Sequence, residues 1–402
     1  MKPVSFAIIG AGIGGLATAA LLLRAGHRVQ VFEQAARFAR VGSGIQMAPN
    51  AVKVLRHLGI EARLRATAFQ ADFAISRSWD SGEETSRLAL GAEVERQFGA
   101  PYLFLHRADL HAAIADIVPS GVVHLGMKLA AIDQDNDGVD LRFEDGSRFR
   151  ADTVIGADGV HSLVRETLLG PEKPRFTGRV AYRTTFPSEL MHGAKLDRVR
   201  TKWWGPDRHM VVYFVTRARD ELYFVTSVPE SAEWTTPESW SAKGDLDELR
   251  AAYEGFHPEV QAILDACPGV YKWALFERDP LPRWSDGHIA LLGDACHPMT
   301  PYMAQGAASA LEDATILSRC LTGVERDGLP QAYALYEQVR KPRASEIQAS
   351  SSANTRLRDK TDPGWVYGYD ASTVDLKAPA QGLTRGKSHS PQAATPSSTS
   401  PA

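Results

Sequence analysis

"VSFAIIGAGIGGLATAALLLRAGHRVQVFEQ", residues 4–34, reads as strand, turn, helix and strand. Val4 to Ile9 is a short β-branched and aromatic run of the kind that parallel sheets bury on both faces. It breaks at Gly10. Apolar residues then recur at i, i+3, i+4 and i+7 from Leu16 through Ala19, Ala20 and Leu23, which predicts a helix stopped by Gly26. Val29 to Glu33 predicts the next strand.

Gly10, Gly12 and Gly15 fill the three places of G-x-G-x-x-G, and each missing side chain has a use. The first permits the tight turn, the second lets backbone amides approach a pyrophosphate, and the third lets the helix lie close to the strand. The helix N-terminus offers that anion free N–H groups and partial positive charge. Glu33 stands 18 residues after Gly15, at the end of the second strand, where a carboxylate can accept both hydroxyls of an adenosine ribose. A 2′-phosphate would be repelled there, so the predicted ligand is FAD or NAD. Glycine triplets alone occur in ordinary turns; the flanking strand, helix and acid give this one its meaning.

The 402 residues can bury a large core in a two-lobed unit, and a net charge of −3 implies nothing beyond solubility. Lys and Arg are scattered, which argues against a nucleic-acid partner. Cys267, Cys296 and Cys320 fit neither a disulfide framework nor a zinc spacing, so the expectation is a reduced, cytoplasmic setting with no metal. Glycines interrupt the N-terminal apolar run, and no stretch reaches the roughly 20 apolar residues of a membrane span.

Two remote segments repeat the pattern of a buried strand ending in Asp. "ADTVIGADGVHSLVRETLLG" (151–170) delivers Asp158 and "HIALLGDACHP" (288–298) delivers Asp294 at the carboxyl end of a strand, where open α/β sheets bind ligands. The alternative for either is an Asp capping the next helix. Between them, residues 176–275 hold "RVAYRTTF", "DRVRTKWW", "HMVVYFVT" and "ELYFVTSVP", which predict an antiparallel sheet. "LDELRAAYEGFHPEVQAILDAC" then reads as helical. His209 and Tyr213 lie four apart, hence on one strand face. A histidine there suits proton transfer near neutrality, the alternative being a half-exposed strand His beside a packed Tyr. Trp203 and Trp204 read as core, and His297 as structural.

The triplet with Glu33, the "GADG" segment and "GDACHPMTPYMAQG" (293–306) resemble, in order, the three fingerprints of the class A flavoprotein aromatic hydroxylases, the p-hydroxybenzoate hydroxylase-like fold. The likeness runs over residues 4 to about 345. It implies an α/β fold with a Rossmann-like FAD-binding domain (1–175 and 276–350), an inserted antiparallel β-sheet substrate domain (176–275), a packing segment (351–371) and a disordered tail (372–402).

It further implies that Asp294 bonds a ribityl hydroxyl of FAD, that Pro298 and Pro301 shape the loop beside the ring system, and that a helix starting near Gly306 aims its positive end at the flavin. Arg107 would reach the FAD phosphates, the alternative being a solvated helix-start Arg. Asp158 would serve the dinucleotide. His209, Tyr213, Tyr302 and Met47 would face the substrate. Bound FAD, NADH or NADPH as a transient co-substrate, and O2 acting through a C4a-hydroperoxide follow from the same likeness.

Within the class, "KWWGPDRHMVVYFV", "ELYFVTSVP", "MAQGAASALEDA" and "DPGWVYGYD" resemble the 6-hydroxynicotinate 3-monooxygenases. The implied reaction converts 6-hydroxynicotinate to 2,5-dihydroxypyridine with loss of CO2. Two positions depart from that family's pattern, Met47 and Tyr302, where it carries His. Related hydroxypyridine carboxylates, and a salicylate-type decarboxylating hydroxylation of a hydroxybenzoate, therefore remain alternatives. A flavin-binding interaction module and a plain NAD-dependent dehydrogenase are the readings from other classes. A small aromatic partner, no membrane, and a monomer or homodimer complete the expectation. The carboxyl terminus beyond about residue 372 is rich in Ala, Ser, Thr and Pro, too poor in large apolar residues to offset the entropy of ordering. "DPGWVYGYD" before it keeps enough aromatics to pack on the body or at a dimer contact.

Overall fold

The computed structural model describes residues 2–40, 43–193, 196–231, 242–353 and 362–377. Ser5–Ile9, Ile13–Arg24 and Arg28–Glu33 form the expected strand, helix and strand, with every residue from Ile13 to Leu22 buried. They belong to a six-stranded sheet in the order Ser285–Asp286, Ile289–Leu291, Thr153–Gly156, Ser5–Ile9, Arg28–Glu33, Val123–Leu125. Its strands pair in parallel except for the antiparallel edge strand Ser285–Asp286. The two Asp-bearing strands therefore lie side by side, one of them next to the strand that leads into the glycine turn.

A separate three-stranded antiparallel sheet, Leu129–Asp135, Gly138–Phe143 and Arg148–Ala151, flanks this lobe. The predicted substrate sheet is larger than the segment 176–275. Eight strands run in the order Lys243–Gly244, Val270–Glu277, Arg175–Pro187, Glu221–Pro229, His209–Phe214, Val199–Trp204, Phe73–Ser78, Glu84–Ala89. The last two come from the first third of the chain. Phe73–Ser78 pairs in parallel with Val199–Trp204, so the roof is not purely antiparallel. The stretch expected to be helical splits into Leu246–Ala252 and Pro258–Ala266, because Pro258 cannot continue a preceding turn.

Two apolar cores result. One lies about the parallel sheet and includes Phe6, Ile8, Leu16, Val31 and Leu291; the other lies against the roof and includes Phe104, Trp203, Tyr213 and Phe224. The helix Gly306–Leu321 crosses Ile13–Arg24 closely, and a Cβ on Gly14 would stand 3.1 Å from that of Ala310. Small residues at this crossing bring two helix N-termini to one place. Ala371 is fully buried, with Val374 and Leu376 packed on the same core, so the composition-based start of a disordered tail at 372 falls too early. Residues 378–402 lie outside the described residues.

Candidate active site

The glycine turn, the loop after Leu291 and the roof enclose a cleft of about 380 Å³. Its floor carries Gly12, Gly14, Gly15 and Gly306, with Arg107 and Asp294 at its sides. Each glycine of the triplet has its own reason. Gly10 adopts φ +102° and a Cβ there would meet the Ala157 carbonyl oxygen at 2.3 Å; a Cβ on Gly15 would lie 2.0 Å from the Gly10 oxygen. Around Gly12 a Cβ would meet no atom within 4 Å, so the space beside the helix N-terminus belongs to the cleft. Glu33 accepts the amides of Ala11 and Ala35 through separate carboxylate oxygens, each at 2.8 Å. Each oxygen keeps a lone pair for a ribose hydroxyl.

Asp294 follows Gly293, whose φ of +63° turns the chain, and its carboxyl is exposed to the cleft although protein encloses it on the other sides. That enclosure raises its pKa, against the opposing pull of His297 and Arg107. Arg107 opens the helix Arg107–Ala115 and also exposes its side chain to the cleft; enclosure lowers its pKa and Asp294 raises it. Pro301 borders the cleft in the short turn Pro301–Met303, and Gly306 begins the long helix.

Asp158 does not itself line the cleft. Its carboxylate accepts the Ser162 hydroxyl at 2.6 Å and the Val164 amide at 3.2 Å, which ties it to the start of the helix Leu163–Leu169, whose N-cap is Ser162. Its neighbours Ala157, Gly159 and Val160 line the cleft instead. The capping alternative thus holds for Asp158 and fails for Asp294.

Beneath the Asp294 loop lies a buried charge network. Asp313 accepts His297 Nε2 at 2.5 Å, the Gly293 amide at 3.1 Å and Arg340 Nε at 2.7 Å. Glu312 accepts Arg343 Nε at 2.9 Å and Asn50 Nδ2 at 2.7 Å, and Asn50 also reaches Gln305 at the start of the long helix. Opposite charges surround every member, the condition under which buried ions are tolerated. Cys296, His297 and Asp313 bring three donor atoms within 4.8 Å of one another, a grouping the sequence spacing does not reveal. Arg340 already neutralises Asp313, which opposes a cation there.

A smaller cavity of about 70 Å³ adjoins the cleft, and Gln46, Val225, Pro301 and Ala304 border both. His209 and Tyr302 line it, their rings 5.4 Å apart and edge to face. Tyr302 Oη lies 3.0 Å from Ser227 Oγ. Tyr213 lines the cleft, and its complete burial raises its pKa, so its hydroxyl stays neutral and able to donate. His209 and Tyr213 share one strand face, divided between cavity and cleft.

Met47 is fully buried in the core of the parallel lobe and borders neither space; Gln46, the residue before it, does. Alternation along Gly44–Met47, paired with Leu103–His106, sets which of the two faces the site.

The sequence reading also missed Arg183, Arg200 and Lys202. Arg183 lines the cleft, hydrogen-bonds Ser43 at 3.2 Å and stands 4.1 Å over Trp273; burial lowers its pKa to about 10. Arg200 and Lys202, two apart on Val199–Trp204, both line the cavity. Two cations spaced two apart on Val199–Trp204, hence on one strand face, were the available signal for Arg200 and Lys202.

The cleft meets the demands of an extended dinucleotide carrying an isoalloxazine: open space at Gly12, two helix N-termini, a cation for phosphates and a carboxyl aimed inward. The FAD binding domain family matches residues 3–351. The chain belongs to that family. It is a class A flavoprotein hydroxylase, an FAD-dependent monooxygenase with NADH or NADPH as reductant and O2 as oxidant.

Within this family the chain is 49% identical over 370 residues to 6-hydroxynicotinate 3-monooxygenase of Bordetella bronchiseptica, covering 92% of this chain and 96% of that one. It is 46% identical over 374 residues to the enzyme of the same name from Pseudomonas fluorescens, covering 93% and 97%. The solved substrate complex of a salicylate hydroxylase superposes with a TM-score of 0.80 at 27% identity, covering 92% and 96%. Among the described residues no helix is long and apolar enough to cross a membrane.

Proposed function

We propose that the protein hydroxylates an aromatic ring bearing a hydroxyl and a carboxylate, with loss of CO2, and that its substrate is 6-hydroxynicotinate or a closely related hydroxypyridine carboxylate. One observation carries this reading: the cavity beside the cleft is lined by Arg200 and Lys202, with His209 and Tyr302, and by no Asp or Glu among the described residues. Lys202 is only 3% exposed. A buried cationic wall lowers the free energy of an anionic occupant and rejects a neutral ring of the same shape.

The residues divide the work by position. Arg200 and Lys202 hold the carboxylate and thereby orient the ring. His209 is placed to take the ring hydroxyl proton, which makes the ring electron-rich para to the resulting oxyanion. Tyr213, neutral and buried, donates a hydrogen bond to negative charge on the ring or on the activated oxygen. Gln46, at the junction, fixes the edge that faces the cleft. FAD, when bound, supplies the electrophilic oxygen. In sum, one atom of O2 joins the ring carbon that loses CO2, the other leaves as water, and NAD(P)H provides the two electrons.

A salicylate-type reaction on a hydroxybenzoate is the second reading. The superposition on salicylate hydroxylase and the absence of an imidazole at Tyr302, which lines the cavity, favour it. Product analysis separates the two: purified holoenzyme is given 6-hydroxynicotinate or salicylate with NADH, and ring products and CO2 are quantified. The first reading expects 2,5-dihydroxypyridine equal to NADH consumed. Catechol from salicylate, with 6-hydroxynicotinate returned intact, would replace it by the second.

A further inference from the structure

The segment after residue 361 does more than pack. Three cations from three helices hold seven of its carbonyl oxygens. Lys53 Nζ donates to Tyr367, Gly368 and Tyr369 at 3.1–3.4 Å. Arg343 donates to Trp365 at 3.0 Å and Val366 at 3.2 Å, and Arg319 to Ala371 at 2.7 Å and Val374 at 2.8 Å. The helical turn Gly364–Tyr367 thus has cations at its carboxyl end, where the helix dipole favours them. Arg343 is the same side chain that pairs with Glu312. The strap is therefore tied to the network under the flavin-side helix.

What this anchoring delivers is the ring of Tyr367. It is 5% exposed, meets Tyr102 at 5.7 Å and Phe98 at 5.6 Å edge to face, and lines the substrate cavity. It borders the cavity and not the cleft, whereas Gln46, Val225, Pro301 and Ala304 border both. Tyr367 accordingly belongs to the part of the wall that the cleft does not share, as do Tyr102, Arg200, Lys202 and His209. The cavity measures about 70 Å³. An engineered apolar cavity of about 150 Å³ takes up benzene. A single ring larger than this space extends across the junction toward the cleft, and a second fused ring competes with the Tyr367 side chain for room.

We infer that Tyr367, held by the carboxyl-terminal strap, is a specificity-determining residue that limits this enzyme to single-ring substrates. The inference rests on the reading of the cavity as the seat of an aromatic carboxylate. The strap acts as a fixed wall, its carbonyls being too well held for a hinge, and the phenol acts by bulk.

The test compares wild type, Tyr367→Ala, Tyr367→Leu and Tyr367→Phe as FAD-loaded full chains. Perturbation of flavin absorbance gives dissociation constants for 6-hydroxynicotinate and for a hydroxyquinoline carboxylate, with NADH oxidation and product formation followed alongside. Tyr367→Ala should shift the ratio of the two constants by about tenfold or more toward the two-ring ligand, the scale of discrimination that a few ring atoms produce in an apolar pocket. Tyr367→Phe should keep the wild-type ratio. Tyr367→Leu retains packing on Tyr102 and Phe98 and should shift the ratio in the same direction if Tyr367→Ala cannot be purified with FAD. An unchanged ratio in a yellow Ala or Leu variant overturns the inference. Failure of wild type to oxidise any single-ring carboxylate that it binds, with the ratio still shifting in the variants, would instead sink the substrate reading and leave the wall in place.

Discussion

His297 Nε2 lies 2.5 Å from Asp313 Oδ2, both side chains fully buried beneath the loop that turns Asp294 into the cleft. Burial alone would lower the imidazole pKa and raise that of the carboxylate. The attraction between them wins on both sides: His297 is raised, and Asp313, which Arg340 also faces, is held at about 2. A raised histidine contributes stability fully below its ordinary value of about 6.5 and loses it as pH rises through the folded value. A depressed carboxylate contributes above its ordinary value near 4 and loses it only as pH falls toward 2. The pair is worth most between roughly pH 4 and 6.5. Thermal unfolding of wild type and His297→Gln across pH 5 to 9 should show the largest gap at the acid end, narrowing above neutrality. A gap constant with pH would mean that the imidazole titrates alike folded and unfolded, and a gap that shrinks toward acid that it is uncharged in the fold.

Gly12 and Gly15 separate cofactor retention from folding. Gly12 has an ordinary φ of −72° and open space around it. Gly12→Val should therefore fold with a melting temperature close to that of wild-type apoprotein but purify colourless. Gly15→Ala would force a Cβ to 2.0 Å from a backbone oxygen, so soluble yield itself should fall. Circular dichroism and the 450 nm absorbance distinguish the two outcomes, and a yellow Gly12→Val would remove the cradle from the FAD site.

His209→Ala should lower kcat by about 100-fold with FAD still bound, the usual scale for a lost proton-transfer group. Tyr213→Phe should cost about 5- to 10-fold, the worth of one neutral hydrogen bond. Steady-state kinetics alongside flavin content provide the check, and wild-type kinetics in both variants would take these residues out of the chemistry.

Lys202→Met keeps the length of the side chain and removes its charge. For a carboxylated ring, KM should rise about 10- to 100-fold, the range of a charge-assisted hydrogen bond. The analogue lacking the carboxylate should be unaffected. Equal loss for both compounds would show that Lys202 only shapes the wall.

Much of this was legible in the chain because glycine carries its reason with it. Gly10 and Gly15 are dictated by contacts of 2.3 and 2.0 Å, and no other residue fits them. The strand-end acids were harder. Asp158 and Asp294 look alike in sequence, and only the position of Ser162 and the Val164 amide shows which carboxylate is spent on a cap. Met47 and Gln46 differ by one step of alternation, and their facing depends on register with Leu103–His106, a pairing no local pattern encodes. The roof borrows Phe73–Ser78 and Glu84–Ala89 from far along the chain, and parallel pairing with Val199–Trp204 leaves no turn signal to read. Tyr367 stands in an aromatic-rich segment, but its place at the cavity depends on Lys53 and Arg343, which are hundreds of residues and tens of residues away respectively.

The most direct test of the whole account is the fate of isotopic oxygen. Holoenzyme turned over on 6-hydroxynicotinate and NADH under ¹⁸O2 should give dihydroxypyridine carrying one ¹⁸O atom, with one CO2 released for each NADH oxidised. NADH oxidation that yields only hydrogen peroxide, with no labelled ring product from any hydroxylated pyridine or benzene carboxylate, would contradict it.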